Sequence, residues 1–155
     1  SKITTFCNNN NITIKGKPFV IFHTYDTTNK LTKISICIPI KDPIFITEGS
    51  EISSDTLLSF EAVKTTLTGD YSHTQKALDK TLEYLKTNNI KTDPSFSRLE
   101  LYSIGKNEIN SPSKWKTEIY FPTKPKPVYR PAAVSSIPTE EVVPADVEKE
   151  IPSEF

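Results

Sequence analysis

WKTEIYFP, residues 115–122, is the stretch on which the fold turns. Aromatic and β-branched residues run through it to a closing proline, which is the pattern of a β-strand, yet a carboxylate, Glu118, stands near its centre. On a strand, Glu118 and Tyr120 project to one face while Thr117, Ile119 and Phe121 project to the other. Working outward, KTEIYFPT aligns with the earlier KISICIPI, which sets Ile119 on Ile36, Tyr120 on Cys37 and Pro122 on Pro39. Setting Phe96 on Phe19 aligns PSFSRLELYS with KPFVIFHTYD, so that Leu99 matches Phe22, Glu100 matches His23 and Tyr102 matches Tyr25. Before these strands TNNIK matches NNNIT, and Tyr84 and Leu85 match Phe6 and Cys7. The chain therefore contains an internal duplication.

The second copy is the fuller one. Asp70 can cap a helix in which Tyr71, Thr74, Leu78, Thr81, Leu82 and Leu85 recur at spacings of three and four, and in which Lys76, Asp79, Lys80, Glu83 and Lys86 hold the opposite face. Asn88 and Asn89 end it. Strands are expected over 56–67 before the helix and over 96–103 and 115–122 after it, giving a strand-helix-strand-strand unit. In the first copy only a last apolar turn, Ile3, Phe6 and Cys7, stands before the strands. The first unit is therefore expected to be truncated at its N-terminus, with an upstream domain of the same polypeptide before it. Two such units pairing their strands give an α+β fold, one antiparallel sheet with the helices packed on it and a cleft where the copies meet.

Composition narrows the function. The 155 residues, 35% of them hydrophobic, suffice for one core, so a single domain over residues 1–124 is expected. Lysine and arginine number 19, as do aspartate and glutamate, and without a clustered basic face no nucleic-acid contact is expected of this segment. No apolar run reaches the length of a membrane span and no signal peptide is visible, so no membrane contact is expected either. Cys7 and Cys37 lie far from each other and from any metal-ligand spacing, the pattern of two buried thiols in a reducing, cytoplasmic setting; membrane tethering would need a region outside this sequence. His23 and His73 lack a second ligand at useful spacing, and neither a metal nor a cofactor is expected. Residues 125–155, proline-rich and acidic toward their end, read as a disordered tail.

The run from Thr65 to Ile90, with Gly69 and Tyr71 opening the helix, the E-x-Y of Glu100 and Tyr102, and W-x-x-E-I-Y-x-P from Trp115 to Pro122, resembles the GyrI-like (gyrase-inhibitor-like) effector-binding domain. That domain also forms the ligand-sensing C-terminal part of bacterial multidrug-responsive and AraC-type regulators, and follows START-like domains in fusion proteins, often behind a membrane anchor. The resemblance implies a duplicated strand-helix-strand-strand fold, a ligand groove along the pseudo-twofold, and a glutamate on the last strand lying in that groove beside aromatic residues, a position filled here by Glu118.

The expected site joins Glu118 and Tyr120 with Glu100 and Tyr102, and adds Tyr71 and Trp115 as aromatic walls. A desolvated carboxylate beside aromatic rings favours an aromatic or amphipathic cation, through ion pairing and cation–π contact. Glu118 has Ser35 as its counterpart and Glu100 has His23, so the acids belong to the second copy alone and the ligand is expected nearer that half. The alternative is an enzyme, a hydrolase of small strained electrophiles, with Glu118 as base or nucleophile and Tyr102 or Tyr120 as proton donor, an activity the resemblance also allows. With no nucleophile elbow, P-loop or zinc motif in the chain, ligand binding is the favoured reading and catalytic residues are not assigned.

Overall fold

A computed structural model describes residues 1–24 and 27–125. Tyr25 and the tail beyond Pro125 lie outside the described residues. The elements are helix α1 (Lys2–Asn9), strands β1 (Phe19–Phe22), β2 (Ile34–Cys37) and β3 (Ala62–Thr68), helix α2 (Thr74–Thr87), and strands β4 (Arg98–Ile104) and β5 (Lys116–Pro122). The strands form one five-stranded sheet in the order β2-β1-β4-β5-β3, every neighbour antiparallel. This is the expected α+β arrangement, and β1 and β4 are the strands along which the two copies meet.

Alternation along β5 decides where the core forms. Thr117, Ile119 and Phe121 are buried, Ile119 completely, while Lys116, Glu118 and Tyr120 between them are half-buried. Leu78 and Leu85, seven residues apart on one stripe of α2, pack against Ile119 and Phe121, with Val63, Ala77 and Ile90 around them. Each aliphatic side chain enclosed in this way contributes about 1.5–3 kcal/mol. Polar groups at the same interface are satisfied: the Thr81 hydroxyl donates to the Ala77 carbonyl at 2.7 Å and accepts from Thr65 of β3 at 2.6 Å. Leu82, expected on the core stripe, is half exposed, because the stripe is narrower than its spacing implied.

Local chemistry sets the helix ends. Asp70 Oδ1 accepts from the Ser72 N–H at 2.8 Å, but the turn it caps, Tyr71–His73, is a 3₁₀ turn and the α-helix proper begins at Thr74. Asn88 Nδ2–H donates to the Tyr84 carbonyl at 2.9 Å, and Asn89 turns into the left-handed region at φ 53°. α1 closes in the same way, with Asn10 Nδ2–H donating to Phe6 at 2.9 Å and Asn11 at φ 55°.

Main-chain bonds confirm the duplication and correct its register. Lys15 N–H donates to Pro39 and Lys41 N–H to Thr13, at 2.8 and 2.9 Å; in the second copy Asp93 donates to Pro122 and Lys124 to Lys91, both at 2.9 Å. Pro122 therefore does stand where Pro39 does, and Tyr120 where Cys37 does. Cys37 pairs with Phe19, however, whereas Tyr120 pairs with Leu99. Leu99, not Phe96, is the counterpart of Phe19. Glu100 thus answers to Val20, Tyr102 to Phe22, and Ser103 to His23. The segment before β4 absorbs the difference in a tight turn in which Asp93 Oδ1 accepts from the Ser95 N–H at 2.8 Å.

The remaining departures are shorter elements. The strand expected from Thr56 begins only at Ala62, and Leu57 and Leu58 before it are exposed. Cys7 is buried as expected, but Cys37 is only partly so. No helix among the described residues is long and apolar enough to cross a membrane.

Candidate functional site

Cross-strand pairing assigns the four candidates on strands β4 and β5 to a face. Glu100 stands opposite Ile119 and Tyr102 opposite Thr117, so both share the face covered by α2. Glu118 stands opposite Leu101 and Tyr120 opposite Leu99, on the reverse face. The four expected strand residues are thus divided between the two sides of the sheet, and Glu118 does not stand beside Tyr102.

On the reverse face Glu118 is engaged from two sides. Lys64 of β3 forms an ion pair with Oε1, and the Ser103 hydroxyl donates to Oε2 at 2.8 Å. The Lys64 ammonium also lies 5.6 Å from the centre of the Tyr120 ring. The hydrogen bond from Lys64, then that from Ser103, holds the Glu118 carboxyl below the usual carboxylate range. The same bond to Glu118 raises Lys64. In the first copy the corresponding positions, His23 and Ser35, bond each other at 2.8 Å.

A depressed folded-state pKa gives stability that is complete above the ordinary carboxylate pKa, about 4.3, and is lost as pH falls through the folded value. Glu118→Gln is therefore expected to flatten the acid limb of the stability curve. Urea titrations at pH 7 and below pH 4 should show a smaller difference for the variant than for the wild-type chain.

On the α2 face a different cluster has assembled. Tyr71, Thr74, Glu100 and Tyr102 line an open depression of about 440 Å³. Tyr71, in the turn that begins α2, meets Tyr102 edge-on at 5.8 Å between ring centres and lies over Trp115 at 4.6 Å. Trp115 is buried and donates its indole N–H to the Ile109 carbonyl at 2.7 Å, which fixes the wall behind Tyr71. Gly105 lets the Tyr71 hydroxyl approach, since a Cβ there would lie 3.0 Å from it.

Glu100 is only 4% exposed. Its Oε2 accepts from Arg98 Nε at 2.8 Å and its Oε1 accepts from the Tyr102 hydroxyl at 3.3 Å. The Arg98 guanidinium lies 3.6 Å from the centre of the Phe22 ring of β1, so the ion pair is braced by a cation–π contact across the junction of the copies. Burial first, then the charge and hydrogen bond of Glu100, pushes the Tyr102 phenol up to about 12. Burial likewise raises Tyr71. Both phenols remain donors at neutral pH. Beside Tyr102 on β5, the Thr117 hydroxyl is buried with no hydrogen-bond partner.

The structure therefore gathers Glu100, Tyr102, Tyr71 and Trp115 and sets Glu118 and Tyr120 apart. Thr74 and Arg98 are the additions. Thr74 had shown only helical spacing, whereas Arg98 carried a usable signal, a cation two residues from Glu100 on one strand face.

Comparison with known proteins shows the family and the fold. The family model described as GyrI-like small molecule binding domain matches residues 6–124. Among solved structures, the C-terminal domain of EcmrR superposes with a TM-score of 0.63 at 20% identity, covering 73% of this chain and 70% of that one. EcmrR in its DNA complex superposes at 0.68, again at 20% identity, over 79% of this chain but under half, 46%, of that chain. No curated protein matched the sequence.

Proposed function

Because the chain belongs to the GyrI-like small-molecule-binding family, we propose that the depression bounded by Tyr71, Thr74, Glu100 and Tyr102 is its effector site, and that Glu100 is the polar anchor of a flat aromatic ligand. The observation that carries this reading is a carboxylate enclosed to 4% exposure at the base of a hollow walled by tyrosines. Aromatic walls supply most of the contact area and a single placed acceptor supplies orientation. Glu118, the acid expected in this role, is already matched by Lys64 and Ser103 on the other face.

A thermal-shift screen of small aromatic compounds is the direct test, since a ligand at 100 times its Kd stabilises the fold by about 2.7 kcal/mol. Glu100→Gln is expected to weaken a compound found in this way by about 1.5–3 kcal/mol, the worth of a charge-assisted hydrogen bond. The same compound should perturb the NMR signals of Tyr71 and Tyr102. Hits whose affinity is indifferent to Glu100→Gln, or whose perturbations map to Tyr120 and Lys64, would place the effector on the reverse face instead.

The hydrolase reading moves with the acid. Its glutamate and tyrosine become Glu100 and Tyr102, which are hydrogen-bonded to each other. Tyr102 stays protonated at neutral pH, but burial and Glu100 make it a weaker acid than a free phenol, which counts against it as the proton donor in that reading. Turnover of a ligand that is abolished by Tyr102→Phe while its binding survives would establish it.

A further inference from the structure

A lone buried carboxylate selects a cation, which is the expectation drawn from the sequence. Glu100 is not alone. We infer that Arg98 is a built-in counter-ion that sets the charge the site accepts, so that the preferred ligand is a flat aromatic molecule of zero net charge carrying a donor and an acceptor side by side. This rests on the effector-site reading of the α2-face depression and deepens it.

Three contacts support the inference. Arg98 Nε is committed to Glu100 Oε2 at 2.8 Å, so the pair carries no net charge. The guanidinium is held against the Phe22 ring at 3.6 Å, and an arginine whose side chain is only 22% exposed has limited freedom to leave. Its two terminal nitrogens bond no acceptor among the described residues and so keep their donors for a ligand. An entering monocation would meet Arg98 within the same few ångströms and would have to share or displace it. A ligand with an adjacent donor and acceptor leaves the pair intact. Its donor replaces the long 3.3 Å bond from Tyr102 on Oε1, and its acceptor takes the open edge of the guanidinium.

Arg98 is a positioning and selectivity residue in this account, and the register gives it no basic equivalent in the first copy. Arg98 and Arg130 are the only arginines of the chain, so the Nε–H resonance of Arg98 can be assigned by a single substitution.

The test uses three indole probes of one shape and different charge at pH 7.4, titrated by NMR: tryptamine, a monocation; tryptophan, a zwitterion; and indole-3-acetate, an anion. In the wild-type chain tryptophan should bind about fivefold or more tighter than tryptamine, and the Arg98 Nε–H should remain in its hydrogen-bonded position throughout. Arg98→Met should reverse the order, with tryptamine gaining about tenfold, and Arg98→Lys should preserve the wild-type order. Should Arg98→Met fold poorly, the lysine variant and the free-protein Nε–H signal still decide, because a solvent-like Nε–H in the unliganded chain would overturn the inference. Equal binding of tryptamine and tryptophan by the wild-type chain would also overturn it, as would an order unchanged in Arg98→Met. If no probe perturbs Tyr71 or Tyr102 in any variant, the effector-site reading itself fails, and the inference fails with it.

Discussion

Replacing Ile119 by alanine is expected to lower the unfolding free energy by about 2–5 kcal/mol, the range for truncating a large aliphatic side chain in a packed core. Ile119 has no exposure at all, lies on the central segment of β5 with a partner strand on either side, and touches the stripe of α2 that carries Leu78 and Leu85. The sheet backbone on both flanks is tied into ladders, so it cannot collapse into the space left behind, which argues for the upper part of that range. Against a typical domain stability of about 5–15 kcal/mol the loss is severe. Urea titration should show the midpoint falling with little change in slope, because the surface exposed on unfolding is nearly the same. A loss below about 1 kcal/mol would mean that α2 is not seated on β5 as described.

Trp115→Ala is expected to cost a comparable amount, about 3–5 kcal/mol, for a second reason as well as the first. The buried ring supports Tyr71, and its indole N–H satisfies the Ile109 carbonyl, which would be left without that donor. Trp115→Phe separates the two effects, since it keeps an aromatic support but removes the donor. Trp115→Ala should also loosen ligand binding through Tyr71, whereas Trp115→Phe, which keeps the support, and Ile119→Ala, measured at a temperature where it remains folded, should alter binding less. Isothermal titration with any hit from the aromatic screen would compare the three.

Sequence pattern revealed much of this architecture because the features it depends on are local. Period-two alternation in KTEIYFP marked Ile119 and Phe121 as partners on one face, the stripe of Leu78 and Leu85 marked the helix side that meets them, and the paired asparagines marked both helix exits. Alternation does not say which face of the sheet carries the helix. The parity of Glu118 and Tyr120 was therefore correct while their grouping with Glu100 and Tyr102 on one side of the sheet was not, and only the cross-strand pair of Glu100 with Ile119 distinguishes the sides. The match of Phe96 to Phe19 was misled by residue identity. Strand register is fixed by backbone bonds between distant segments, and the turn held by Asp93 lets two copies with like residues be out of step. Arg98 did not stand out in the sequence because neither its stacking on Phe22 nor the enclosure of Glu100 is a property of neighbours in sequence.

The two helix exits and the bridges that follow them are closed almost entirely by backbone donors and acceptors and by asparagine amides, with matching geometry in both halves. Such closures hold regardless of which side chains occupy the middle of the sheet. The seam between β1 and β4 differs between the copies: one half carries Val20 and Phe22 where the other carries Glu100 and Tyr102. New chemical tastes can therefore be acquired by exchanging a few residues at that seam, without renegotiating how the chain folds.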